Sequence, residues 1–172
     1  PEFQQDCRLR VVGEDSHFLP LHPDYRAIEP LCELLPPAPY GQVVEMMAES
    51  SVLLIFNLPA TTYDDPIPGK FFDYLMFEAP VLAVAGTRGI IGDVLAWTGC
   101  GTWAETPAAI ADFLRPLYLA WKRDGVVRAP RLAAAVEYFT QRRMTAEYAE
   151  VLNAAVETRS PRCAESPPWR AF

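Results

Sequence analysis

The chain has 172 residues, 51% of them hydrophobic and 12% aromatic, which suits one folded domain burying roughly two thirds of its unfolded surface and excludes a disordered chain. A formal charge of −7 and an isoelectric point near 4.8 exclude a protein that coats nucleic acid, because phosphates are held by a basic face. The apolar runs fall far short of the ~20 residues of a membrane span. Four cysteines (Cys7, Cys32, Cys100 and Cys163) form no CxxC pair and suggest neither a zinc site nor a redox motif. A reducing cytoplasm is the expected setting. Residues 1–7, opening at Pro1-Glu2-Phe3, read as an expression scar or linker, and the chain as a piece of a longer protein.

In chain order, 8–12 (RLRVV) is a short strand ended by the Gly13 turn. Residues 14–41 are rich in proline and lack periodicity, so a long loop is expected, with a helical turn over 25–31 and a brief strand at Leu34-Leu35. His17 and His22 have no partners at ligand-like spacing and read as loop histidines rather than a metal site. Residues 41–50 place Val43, Val44, Met46 and Met47 on one face of a helix. The unbroken apolar run 52–56 (VLLIF) then predicts a central parallel strand covered on both faces.

A second apolar strand is expected over 81–85, followed by a helix over 88–97 stopped by Gly99 and a short edge strand over 101–104 (GTWA). Thr106-Pro107 is a strong helix start, Gly125 ends that helix, and Pro116 inside it predicts a kink or break. The last helical region covers 131–157, with Thr140 capping its second part. Met144, Tyr148, Val151, Leu152 and Ala155 share one face there, expected to pack on the domain's own sheet or, alternatively, on a domain the chain lacks. Residues 158–172 read as a poorly ordered tail. Alternating strands and helices over 8–157 predict an α/β, Rossmann-like domain, a three-layer parallel sheet with helices on both faces.

The stretch 64–87 (DDPIPGKFFDYLMFEAPVLAVAGT) carries the chemistry. Pro68-Gly69-Lys70 opens a helix at the carboxyl side of the 52–56 strand, where open α/β sheets bind ligands. Gly69 lets an anion approach the helix-entry amides, Lys70 adds a full positive charge, and Asp73 lies on nearly the same side, three residues on. A carboxylate beside a phosphate site suits hydrogen bonds from ribose hydroxyls, so a nucleoside diphosphate across this helix is one reading. A solvated Lys70–Asp73 ion pair with Gly69 as a simple turn residue is the other. Neither GxGxxG after the first strand nor GxxxxGK[ST] occurs.

IPGKFFDYLMFEAPVLAV resembles, without a gap over residues 68–83, the PxKxxEYLAxGxPVxA signature of GT-B fold glycosyltransferases. RVVGE at 10–14, PYGQVVEMMAES and TRGIIGDVLAWTGCGTWAETPAAIADFL are similar to that family's glycine-ended strand, the helix before its next strand, and its later helix, turn and helix. The likeness covers about residues 8–155. It implies the donor half of the GT-B fold, binding a nucleotide diphosphate sugar and transferring the sugar to an acceptor held by an N-terminal domain absent here. No cofactor is implied, and the isolated chain is expected to be inactive.

By the same resemblance, Asp73 corresponds to the family's ribose-binding glutamate. Asp65 falls at the first acid of its E-x7-E pair, near the transferred sugar, with Asp64 as the alternative. Gly69 and Lys70 would face the pyrophosphate and Gly13 would shape a nearby turn. Glu78 stands where the family commonly has glycine, and the basic residues that precede its RVVGE-like strand have no counterpart. A sugar-nucleotide epimerase of similar fold and a receiver-like protein-binding module are the alternatives. Asn57-Leu58-Pro59 after the 52–56 strand offers no aspartate for the latter to phosphorylate.

Overall fold

A computed structural model describes residues 2–56, 67–84 and 88–156. The protein is α/β, with one two-stranded and one three-stranded sheet, both parallel. The chain divides into two compact units, Pro1–Glu49 and Ser50–Phe172. No described helix is long and apolar enough to cross a membrane.

The first unit contains α1 (Glu2–Asp6), β1 (Leu9–Val12), α2 (Tyr25–Ile28), β2 (Cys32–Leu35) and α3 (Tyr40–Glu49). Within the region expected as a loop, Glu14–Leu21 and Glu29–Leu31 form 3-10 turns, short elements that tolerate prolines because few of their amides need partners. β1 and β2 pair in register, Leu9 opposite Cys32 through Val12 opposite Leu35. Gly13 then takes φ 138°, a conformation open to glycine and costly for other residues. Its N–H donates to the Leu35 carbonyl at 3.2 Å, and the buried Ser16 hydroxyl donates to the same oxygen at 3.2 Å. The turn off β1 is thereby pinned to the end of β2. On the surface, Arg10 joins Glu33 at 2.9 Å and Glu49 at 3.8 Å, tying β1 to β2 and α3.

The second unit contains β3 (Leu53–Phe56), α4 (Gly69–Tyr74), β4 (Val81–Val84), α5 (Gly89–Thr98), β5 (Gly101–Ala104), α6 (Pro107–Asp124), α7 (Ala133–Glu137) and α8 (Gln141–Val156). Its strands run β3-β4-β5, with Leu53, Val81 and Gly101 in line. β4 is the central strand, and Val81, Leu82 and Ala83 are at most 1% exposed. β3 differs from expectation: Leu53 and Ile55 are buried, but Phe56 is 63% exposed. An unbroken apolar run makes both faces of a strand apolar; it does not supply cover for both. Among the described residues, β3 hydrogen-bonds to one neighbour, β4.

Local chemistry sets the helix ends. Gly99 (φ 67°) closes α5 by donating to the Leu95 carbonyl at 3.0 Å, as the sequence predicts. The fully buried Thr98 hydroxyl donates to the Val94 carbonyl at 2.8 Å and accepts from the Cys100 N–H at 3.3 Å, which satisfies its polar atom inside the core. Thr106 caps α6 by accepting from the Ala109 N–H at 3.2 Å, and Gly125 (φ 72°) ends it. Pro116, expected to kink or break α6, leaves the helix running unbroken from residue 107 to 124. Asp112 and Pro116 are both exposed, so water can serve the one carbonyl that loses its intrahelical donor.

The predicted helical region over 131–157 is divided: an extended segment precedes α7, and Thr140 caps α8 by accepting from the Arg143 N–H at 3.2 Å. The apolar face of α8 does not pack on the sheet of its own unit. Only Glu147 and Ala154, seven residues apart, are less than exposed along the helix, so a different face is turned inward.

Candidate functional site

The candidate site is built on α4. Pro68 precedes it in extended conformation (φ −60°, ψ 137°), and its carbonyl accepts from the Phe71 N–H at 2.9 Å. Proline suits a helix entry, where an N–H would find no intrahelical partner. Phe71 and Leu75, one turn apart, are fully buried and fix the inner side of α4. Phe72 reaches Phe139, with 6.1 Å between ring centroids. The same spacing puts Lys70, exposed, and Asp73, half-buried, on the opposite side with Tyr74.

Gly69 is exposed, has no positive φ, and would meet nothing within 4 Å if it carried a Cβ. Neither packing nor backbone conformation requires glycine there, which leaves open access to the helix-entry amides as its structural effect. Asp73 is engaged by other groups of the protein. Burial, and secondarily the Asp73 charge, pushes the Tyr74 phenol above its usual pKa. Tyr74 therefore stays a neutral hydrogen-bonding group beside the carboxylate at physiological pH.

Of the residues singled out from sequence, Gly69, Lys70 and Asp73 share α4. Gly13 belongs to the first unit, where it makes the turn after β1. Asp65 and the alternative Asp64 lie outside the described residues. His17 contacts the Glu14 carbonyl through Nδ1, and His22 lies 3.8 Å from the Asp24 carboxylate. Among the described residues, no three His, Cys, Asp or Glu side chains gather as a metal site would require.

The sequence reading missed the support behind α4. Arg131 donates from Nη1 to the Phe77 carbonyl at 2.7 Å and from Nη2 to the Leu75 carbonyl. The Ala129 N–H donates to the Glu78 carbonyl at 2.9 Å, and Arg128 pairs with Glu78 at 2.8 Å. From the same segment, the Leu132 N–H donates to the Thr98 carbonyl at 2.8 Å. Residues 126–132 thus form a crosspiece between the end of α4 and the end of α5. Pro130 was the available signal, since the residue before a proline is pushed toward extended backbone, away from helix. Arg131→Met is expected to cost about 2 kcal/mol, the worth of charge-assisted bonds to otherwise unpaired carbonyls. Urea unfolding followed by circular dichroism measures it, and a change below ~0.5 kcal/mol would contradict the role.

A cavity of about 190 Å³ is lined by Arg88, Gly92, Ala96, Gly101, Thr102 and Trp103. Arg88 pairs with Asp93 at 2.9 Å, so its charge is already balanced within the protein. The Trp103 indole N–H is buried without a partner.

No family model, no curated protein and no solved structure matches the chain.

Proposed function

We propose that this chain is the donor-binding part of a glycosyltransferase, holding a nucleotide diphosphate sugar for transfer to an acceptor carried by another domain. The reading is carried by one conjunction. The ungapped likeness to the GT-B donor signature over 68–83 falls on a helix whose outward side presents Lys70 and Asp73 and whose entry carries a glycine that packing does not need. The succession β3-α4-β4-α5-β5 of parallel strands, with α4 following the carboxyl end of β3, is also what a Rossmann-like donor half requires.

In this reading Asp73 accepts hydrogen bonds from the ribose hydroxyls. Lys70 and the helix-entry amides face the diphosphate and stabilise the charge that develops on the leaving nucleoside diphosphate. Asp65 would stand near the transferred sugar. Titration calorimetry with UDP-, GDP- and ADP-sugars tests this. One donor is expected to bind, with affinity falling roughly 10- to 100-fold in Asp73→Ala, the range for losing a hydrogen bond to a charged group. No heat with any donor, or binding indifferent to Asp73→Ala, overturns the reading.

A further inference from the structure

We infer that Arg131 is a positioning residue for the donor site, holding Asp73 in place through the turn that follows α4. The inference rests on the reading of α4 as a donor-binding helix and ties that helix to a residue more than fifty positions downstream. Asp73 stands one residue from the end of α4, and Lys70 one residue from its start. The Asp73 carbonyl accepts from the Met76 N–H at 2.9 Å, and the Tyr74 carbonyl from the Phe77 N–H at 3.2 Å. The backbone of Asp73 is therefore bonded directly to the following turn. Carbonyls at a helix end have no intrahelical donor, and those of Leu75 and Phe77 take theirs from the guanidinium of Arg131. A planar fork of N–H groups in fixed geometry suits two acceptors at once, which a single ammonium does less well.

Removing the fork leaves two part-buried carbonyls in need of water, and unwinding the turn that carries them exposes both. A six-residue helix has no stability of its own with which to resist. The two ends of α4 respond differently. Asp73 moves with the last turn, whereas the exposed Lys70 sits on the entry side of Phe71, which is fully buried and donates its N–H to the Pro68 carbonyl at 2.9 Å. Arg131 thus governs the ribose end of the site and leaves the diphosphate end in place.

Titration calorimetry of the full chain with UDP-glucose, GDP-mannose and ADP-glucose tests this, at a temperature where circular dichroism shows each variant folded. Arg131→Met is expected to weaken binding of the preferred donor roughly 3- to 10-fold, the range for one net hydrogen bond, and Arg131→Lys by less. Added to Asp73→Ala, Arg131→Met is expected to have no further effect, because the group it positions is gone. Added to Lys70→Ala, it is expected to keep its full effect. A general loosening of the fold would weaken binding alike in both backgrounds. The same two combinations made with Arg131→Lys decide the matter if Arg131→Met unfolds. Binding indifferent to Arg131→Met, an effect undiminished by Asp73→Ala, or one that also vanishes in Lys70→Ala overturns the inference and leaves the donor reading standing. No binding of any of the three sugars by the unmodified chain overturns the donor reading, and this inference with it.

Discussion

Gly101→Ala is expected to destabilise the second unit by about 3 kcal/mol or more, the upper part of the range for overpacking, because the added methyl has nowhere to go. A Cβ at Gly101 would lie 1.9 Å from the Val81 carbonyl oxygen and 2.7 Å from its carbonyl carbon. Both are backbone atoms of the central strand, whose side chains cannot swing aside to make room. Accommodating the methyl means parting β5 from β4, which sacrifices ladder bonds as well as packing. Urea unfolding monitored by circular dichroism reads the loss, and a shift below ~1 kcal/mol would show that the strands separate cheaply. Gly69→Ala makes the informative contrast: with open space at that position it is expected to move stability by less than ~1 kcal/mol. If it nonetheless weakens donor binding, access to the helix entry is the reason.

Phe71→Ala is expected to remove about 3–5 kcal/mol, since a fully buried aromatic leaves a cavity that its neighbours fill only in part. That is a large share of the ~5–15 kcal/mol by which whole domains are stable. The loss should be accompanied by loss of α4 itself: Phe71 and Leu75 are its only fully buried anchors, and a six-residue helix has no stability of its own. Thermal unfolding should show a lowered midpoint, whereas Phe71→Leu, closer in volume, should cost under ~1.5 kcal/mol. Asp73→Ala, which removes no core side chain, should lower the midpoint far less than Phe71→Ala does. These substitutions separate what holds α4 in place from what α4 presents.

Where local chemistry decides an outcome, the residues announced it. Thr106-Pro107 and Gly125 bound α6 where expected, Gly99 stops α5, and Thr140 caps α8. Each of these depends on groups within four residues along the chain. What was illegible depends on distant neighbours. The sequence of β3 could not say that Phe56 lies 63% exposed while Leu53 and Ile55 are buried. The stripe on α8 announced an apolar face without saying that another face of the helix turns inward. Arg131 looked like the first residue of a helix, because its partners, the carbonyls of Leu75 and Phe77, lie more than fifty positions upstream. The candidate site divides in the same way: Gly69, Lys70 and Asp73 are legible because one short helix holds all three, while Gly13 turns off β1 in the other unit.

The crosspiece at 126–132 bears on how this chain can be cut. Gly125 ends the longest described helix and is the obvious place to draw a C-terminal boundary for a minimal binding fragment. A fragment ending there would keep every residue of α4, yet strip the carbonyls of Leu75, Phe77 and Glu78 of the donors that now occupy them. Its failure to bind a nucleotide would then report on the removed scaffold, and a deletion map would credit 126–132 with a ligand contact when what was lost is the support behind α4.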